Sequence, residues 1–176
     1  MTDLASFPAF VDKQVFHVVV ESPRGASVKL KYDPELHVMV ISRPLAAGLA
    51  YPFDWGFIPS TRGMDQDPID ALVLWDVATF PGVAIKCRAV GIVKIEQDGE
   101  GGRRIRNDRI LARPVQDKRD DASIGKSRRA REEIANFLRA STVLEGKNVK
   151  ILGWAGAASA MAFIRAGVQR ASQQPD

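Results

Sequence analysis

The order of periodicities constrains this chain most: apolar or alternating runs of strand length, bounded by turn residues, run through Pro114, and helical spacing follows. Val15–Glu21 reads as a strand ended by Ser22-Pro23. Ser27–Tyr32 and His37–Ser42 read as a hairpin around Asp33-Pro34-Glu35. Ala71–Trp75 is a short buried strand. Ala84–Glu96 is a long one, with Gly91 marking a bend or bulge. Gly102–Arg113, stopped by Pro114, and Asn148–Trp154 supply two more. Two helical spacings accompany them: Ala130, Ile134, Phe137 and Leu138 recur at i, i+4, i+7 and i+8. Ala157, Met161, Ile164 and Val168 recur at i, i+4, i+7 and i+11. Each set is one face of a helix. A chain that opens in strands and closes in helices predicts a mainly β, α+β fold: a small barrel with C-terminal helices packed on its outside.

The 176 residues suit one domain spanning 1–176. A chain of this size buries roughly 70% of its unfolded surface and needs no disulfide or metal merely to fold. Internal repeats, low-complexity tracts and linkers are absent. Cys87 is the lone cysteine, set in an apolar run, and reads as a core residue rather than a nucleophile. Met1–Phe10 lacks the basic and apolar regions of a signal peptide, and no run approaches the ~18 apolar residues of a membrane span. A cytoplasmic protein is expected. The tail Ser172–Asp176 is expected to fray.

Net charge is +4, unevenly spread. Residues 103–131 hold eleven Arg or Lys against four Asp, a balance of +7, so the rest sums to −3. Such a segment suits a polyanion or a solvated face. No aromatic residue interleaves with these cations to stack bases, which argues against nucleic acid as a partner.

The densest chemistry lies in Met64-Asp65-Gln66-Asp67-Pro68-Ile69-Asp70. Three carboxylates this close repel one another unless a cation or water separates them. Asp65 and Asp67, two apart, would point the same way from an extended segment. Apolar Phe57-Ile58 and Ala71–Leu74 flank the cluster and place it in the wall of a core. Hard cations such as Mg²⁺ take oxygen ligands and keep room for water and phosphate. An EF-hand is excluded, because Pro68 and Ile69 sit inside the loop and Asp70 occupies the position that needs glycine.

Asp65-x-Asp67-Pro68-x-Asp70 followed by Ala71-Leu72-Val73-Leu74 resembles the signature of the soluble family I inorganic pyrophosphatases. Tyr51-Pro52 and Gly56-Phe57-Ile58-Pro59 match the segment before it. Glu21, Lys29 and Arg43 fall where the family keeps a Glu, a Lys and an Arg. Pro81-Gly82 through Val90-Gly91, and Leu144-Glu145-Gly146-Lys147 through Gly153-Trp154, match downstream. The resemblance implies an OB-like barrel in a homo-oligomeric, Mg²⁺-dependent enzyme that splits pyrophosphate into two phosphates, hexameric as in bacterial members. It further implies that Asp65 and Asp70 hold metal and that Asp67 is the general base. Lys29, Arg43, Tyr51 and Arg104 would contact phosphate. Glu21 would sit at the rim on metal-bound water.

Departures from the pattern cluster at the same site. Lys31 replaces a Glu, Trp55 a Tyr, and Ser141-Thr142 a Tyr-Lys pair. The loop after Ile95 normally supplies two Asp ligands and a Lys two residues beyond. In ungapped register these positions are Gln97, Gly102 and Arg104, and a slip would bring in Asp98 or Glu100. Three lost carboxylates, Lys31 gained and one Lys lost make the site about three charges more positive, and metal affinity falls as such groups go. Two functions fit these residues. One is a pyrophosphatase with fewer metals. The other is a non-catalytic relative that binds phosphate, pyrophosphate or a nucleotide.

Overall fold

Five strands close into a ring. In the computed structural model, which describes residues 3–119 and 127–173 apart from the side chain of Glu100, β1 (Val15–Ser22) pairs with β4 (Asp54–Ile58) and β4 with β5 (Ile69–Val73). β5 pairs with β8 (Arg109–Pro114), β8 with β6 (Ala84–Asp98), and β6 returns to β1. The β5–β8 pair is parallel; the other pairs of the ring are antiparallel. β7 (Arg104–Arg106) and β9 (Lys150–Gly156) also pair with β6. β2 (Val28–Asp33) and β3 (Val38–Pro44) form a separate hairpin. Two helices follow, α1 (Arg128–Thr142) and α2 (Ala157–Gln173). This is the mainly β barrel with C-terminal helices that the periodicities predict.

The helices explain why the centres of β5 and β8, Ala71-Leu72-Val73 and Ile110-Leu111-Ala112, are continuously apolar. A strand buried on both faces has no polar side to alternate with. Ala71 and Val73 pack in one cluster with Ala160 and Ile164 of α2. Leu72 and Leu74 face the other way, into a second cluster with Ile134, Phe137 and Leu138 of α1. Cys87 is fully buried in the first cluster, and burial pushes its thiol pKa up, out of reach of thiolate chemistry. Met161 and Phe163 of α2 also pack on that cluster, so the apolar groups on several sides of this helix are largely used within the chain.

β6 serves four partners because it bends. Its register against β8 shifts between Ala89 and Gly91, where a side chain would lie 2.8 Å from the carbonyl oxygen of Ala155 in β9. The predicted strand over Gly102–Arg113 is two strands, β7 and β8. Asp108 interrupts it: its carboxylate accepts the backbone N–H of Ile95 at 2.9 Å and three hydrogen bonds from Arg106. β4 carries no strand signal beyond Phe57-Ile58. Ser172 and Gln173 belong to α2; the rest of the expected frayed tail, and residues 120–126 of the basic run, lie outside the described residues. Among the described residues no helix is long and apolar enough to cross a membrane.

Gly56 is where the β1–β4 contact is tightest: a Cβ there would sit 2.0 Å from the carbonyl oxygen of Val19. Backbone cannot move aside as a side-chain tip can. Gly56→Ala should therefore destabilise the fold by at least about 3 kcal/mol, read as a fall in the denaturant midpoint. A midpoint unchanged within error would contradict this packing.

Candidate active site

One pocket of about 360 Å³ gathers Glu21, Lys29, Lys31, Arg43, Tyr51, Asp65, Asp67 and Asp70. The barrel supplies the acids and the hairpin supplies cations. Two buried side chains at the end of β1 pin the hairpin in place. Ser22 accepts the N–H of Leu30 at 2.9 Å, and Glu21 accepts the N–H of Tyr32 at 2.8 Å. Lys29 and Lys31 then share one face of β2, and Lys29 pairs in register with Arg43.

The acidic loop is a turn, not the extended segment expected from sequence. Gln66 adopts φ of 73°, and Gly63 donates its N–H to the carbonyl oxygen of Asp67 at 2.7 Å. Asp65 is consequently half-buried, while Asp67 is exposed to the pocket mouth. Lys31 Nζ lies 3.7 Å from Asp67. Asp70 projects from β5 and meets Arg109 at 3.0 Å. Arg109 is itself buried, stacked 5.3 Å from the Trp55 ring, and bonded to the side-chain oxygen of Asn107.

The loop after β6 lies differently from its ungapped register. Gly102 and Arg104 do not line the pocket; Asn107 and Arg109 do, together with Gln97. The family's spacing of an Asp followed two residues later by Lys is echoed here by Asn107-Asp108-Arg109, further along the chain than the ungapped register. Arg104 is held elsewhere by Asp98 at 2.5 Å and by the carbonyl oxygen of Asn148 at 2.8 Å. Asp98 is engaged by Arg104 and by the N–H of Asn148, whose hydrogen bonds hold its carboxyl below the usual range. Neither lines the pocket. The side chain of Glu100 lies outside the described residues. Sequence reading also gave no role to Glu145 and Lys147. Glu145 pairs with both Arg43 and Lys147, the latter at 2.9 Å, and Arg43 also donates to the carbonyl oxygen of Ser141 at 2.5 Å. Ser141 and Thr142 both line the pocket, but their hydroxyls bond back to Leu138 in α1.

Burial sets the electrostatics. Tyr51 packs between Trp55 and Phe137, and burial pushes its phenol up to about 12, so it remains a hydrogen-bond donor at neutral pH. Burial lowers the pKa of Lys29. Burial and the neighbouring Asp70 raise the carboxyl of Asp65. An acid so placed favours a nearby cation, and its oxygens are the hard donors that Mg²⁺ takes. Asp65 with Asp70 thus fits one divalent ion. Among the described residues no three acidic, His or Cys side chains converge on one point to hold a metal.

Glu21 is raised from 4.5 to about 7 by burial and by Asp70. Its folded pKa lies above its unfolded one, so folding is favoured below 4.5 and loses that contribution as pH rises towards about 7. In chelator at about pH 8, Glu21→Gln should stabilise the fold by roughly 2–3 kcal/mol, and the gain should vanish in acid. Thermal melts across pH check both limbs.

A family model for inorganic pyrophosphatase matches residues 18–172. The inorganic pyrophosphatase of Thermus thermophilus is 37% identical over 178 residues, covering 97% of this chain and 98% of that protein. That of Synechocystis sp. is 36% identical over 155 residues, covering 86% of this chain and 89% of the relative. The crystal structure of the Thermus thermophilus enzyme superposes with a TM-score of 0.87 at 32% identity, covering 97% of this chain and 99% of that one. With the signature aspartates gathered in one pocket of a matching barrel, the chain belongs to the inorganic pyrophosphatase family.

Proposed function

We propose that this protein is a hydrolase that splits inorganic pyrophosphate into two phosphates. The carrying observation is that Asp65, Asp67 and Asp70 share one pocket with Lys29 and Arg43. The relatives compared are pyrophosphatases by name, which favours the enzyme over the non-catalytic reading. The family as a whole implies a divalent-metal requirement, and Mg²⁺ is the ion that best suits an all-oxygen donor set.

Asp65 and Asp70 are the groups that would hold the ion. When bound, it would polarise phosphate oxygens and acidify water. The remaining chemistry belongs to side chains. Lys29, Arg43 and the Tyr51 hydroxyl hold phosphate oxygens and fix the substrate against the acidic wall. Glu21, at the end of β1, orders water at the rim. Asp67, at the open side, accepts a proton from the attacking water. The water oxygen bonds to one phosphorus, the bridging P–O bond breaks, and its electron pair leaves with the second phosphate. Arg109, buried against Asp70, takes the place proposed from sequence for Arg104.

We also propose a cytoplasmic homo-oligomer, a hexamer by resemblance to bacterial members. In the helical region the exposed apolar groups are Val143 and Leu144, just past α1, at 65% and 64% exposure. They are the better candidates there for contact with another copy.

Asp67→Asn keeps shape but cannot take the proton. It should lower kcat for pyrophosphate at least about 100-fold while leaving the melting temperature nearly unchanged. Phosphate release from Mg²⁺ and pyrophosphate measures it, and near-normal turnover would remove Asp67 from the mechanism. Sedimentation at micromolar concentration should show an assembly well above the 19.3 kDa monomer; a monomer would refute the assembly.

A further inference from the structure

The pocket carries its own counterions. Five carboxylates and five Lys or Arg side chains line it. Two of those cations sit on the acidic wall: Lys31 lies 3.7 Å from Asp67, the base, and Arg109 lies 3.0 Å from Asp70, one of the two groups that would hold metal. Asp65 alone of the three makes no direct salt bridge among the described residues, although the charge of Arg109 also reaches it. Across the pocket, Gln97 and Asn107 offer neutral oxygens, which add no charge to hold a divalent ion.

We propose that Lys31 stands in for a metal ion, with Arg109 fixed beside Asp70, so that this pocket binds pyrophosphate as a free anion and takes a single divalent cation, at Asp65 with Asp70. This rests on the pyrophosphate reading above and extends it to the form of the ligand.

The two cations are built for different parts. Arg109 is fixed by Trp55, Asn107 and Asp70, so its charge is a permanent feature of that wall. A second divalent ion beside Asp70 would have to approach that guanidinium. Lys31 is adjustable. Its contact with Asp67 is longer than a hydrogen bond, and the two side chains are 48% and 68% exposed. An ammonium on a flexible four-carbon stem can swing from Asp67 to an arriving phosphate oxygen. That exchange would leave Asp67 unpaired as the anion binds, which is when a base is needed.

Titration calorimetry on the full chain tests this. In chelator, pyrophosphate should bind the wild type, and Lys31→Met, which keeps most of the stem, should weaken that binding about tenfold or more. Without pyrophosphate, the wild type should take up about one Mg²⁺ per chain. Lys31→Glu should bind Mg²⁺ about tenfold or more tightly than the wild type. No metal-free binding by the wild type, or uptake of several Mg²⁺, overturns the proposal whether or not the variants fold. A folded Lys31→Glu that binds metal no better does the same. Hydrolysis with Mg²⁺ but no metal-free binding would leave the proposed function standing and remove the counterion role. Metal-free binding with no hydrolysis under any divalent ion would do the reverse.

Discussion

Everything in this molecule hangs on β6. Its fifteen residues pair with β1 at one end, with β8 and β9 in the middle and with β7 at the other end. A straight strand could not serve four partners, and the irregularities at Gly91 and after Lys94 let it turn from one to the next. The ring this closes has no free edge between β1 and β6, and it gives both helices a surface to cover. The pocket is a consequence. Gln97 stands near the far end of β6, while Asp70 and Arg109 project from the parallel pair β5 and β8 inside the same ring.

The hairpin that carries Lys29, Lys31 and Arg43 is outside the ring, so its placement depends on few contacts. Ser22 and Glu21 supply them, both buried, both accepting backbone N–H groups of β2. Glu21 is an expensive anchor, a carboxyl held near Asp70 in a desolvated place. That burden is typical of a functional centre rather than a structural joint. Arg43 ties the other side of the hairpin to Glu145, beyond α1, so the cations are held from both ends of the chain.

Much of this was legible in the sequence because it is local. Period-two runs and helical spacing located β1, β2, β3, β6, β9 and both helices to within a few residues. The aspartate cluster announced the acidic wall. What failed were features set by tertiary contacts. The turn at Gln66 depends on a hydrogen bond from Gly63 that no propensity reveals. The register of the loop after β6 could not be counted from its neighbours, since the chain makes an extra excursion through Glu100–Gly102 before β7. Arg109 was therefore missed, although the Asn107-x-Arg109 spacing repeated the acid-x-Lys pattern a few residues further on. The replacement of Asp by Asn107 in place of Gly102 leaves the charge deficit the same, which is why the electrostatic reading of the site survives the corrected register.

The pairing that closes the ring has a price in time. Val15 meets Arg88, about 70 residues further along, and the hairpin and two more strands lie between them. Long-range pairings of this kind form slowly, because loop entropy must be lost before any contact rewards it. During synthesis β1 leaves the ribosome well before its partner exists. Its apolar residues must wait, or find temporary cover, until β6 emerges. Nascent chains stalled before and after β6 would therefore differ sharply in protease resistance, and a chaperone would meet its strongest binding site in the interval between them.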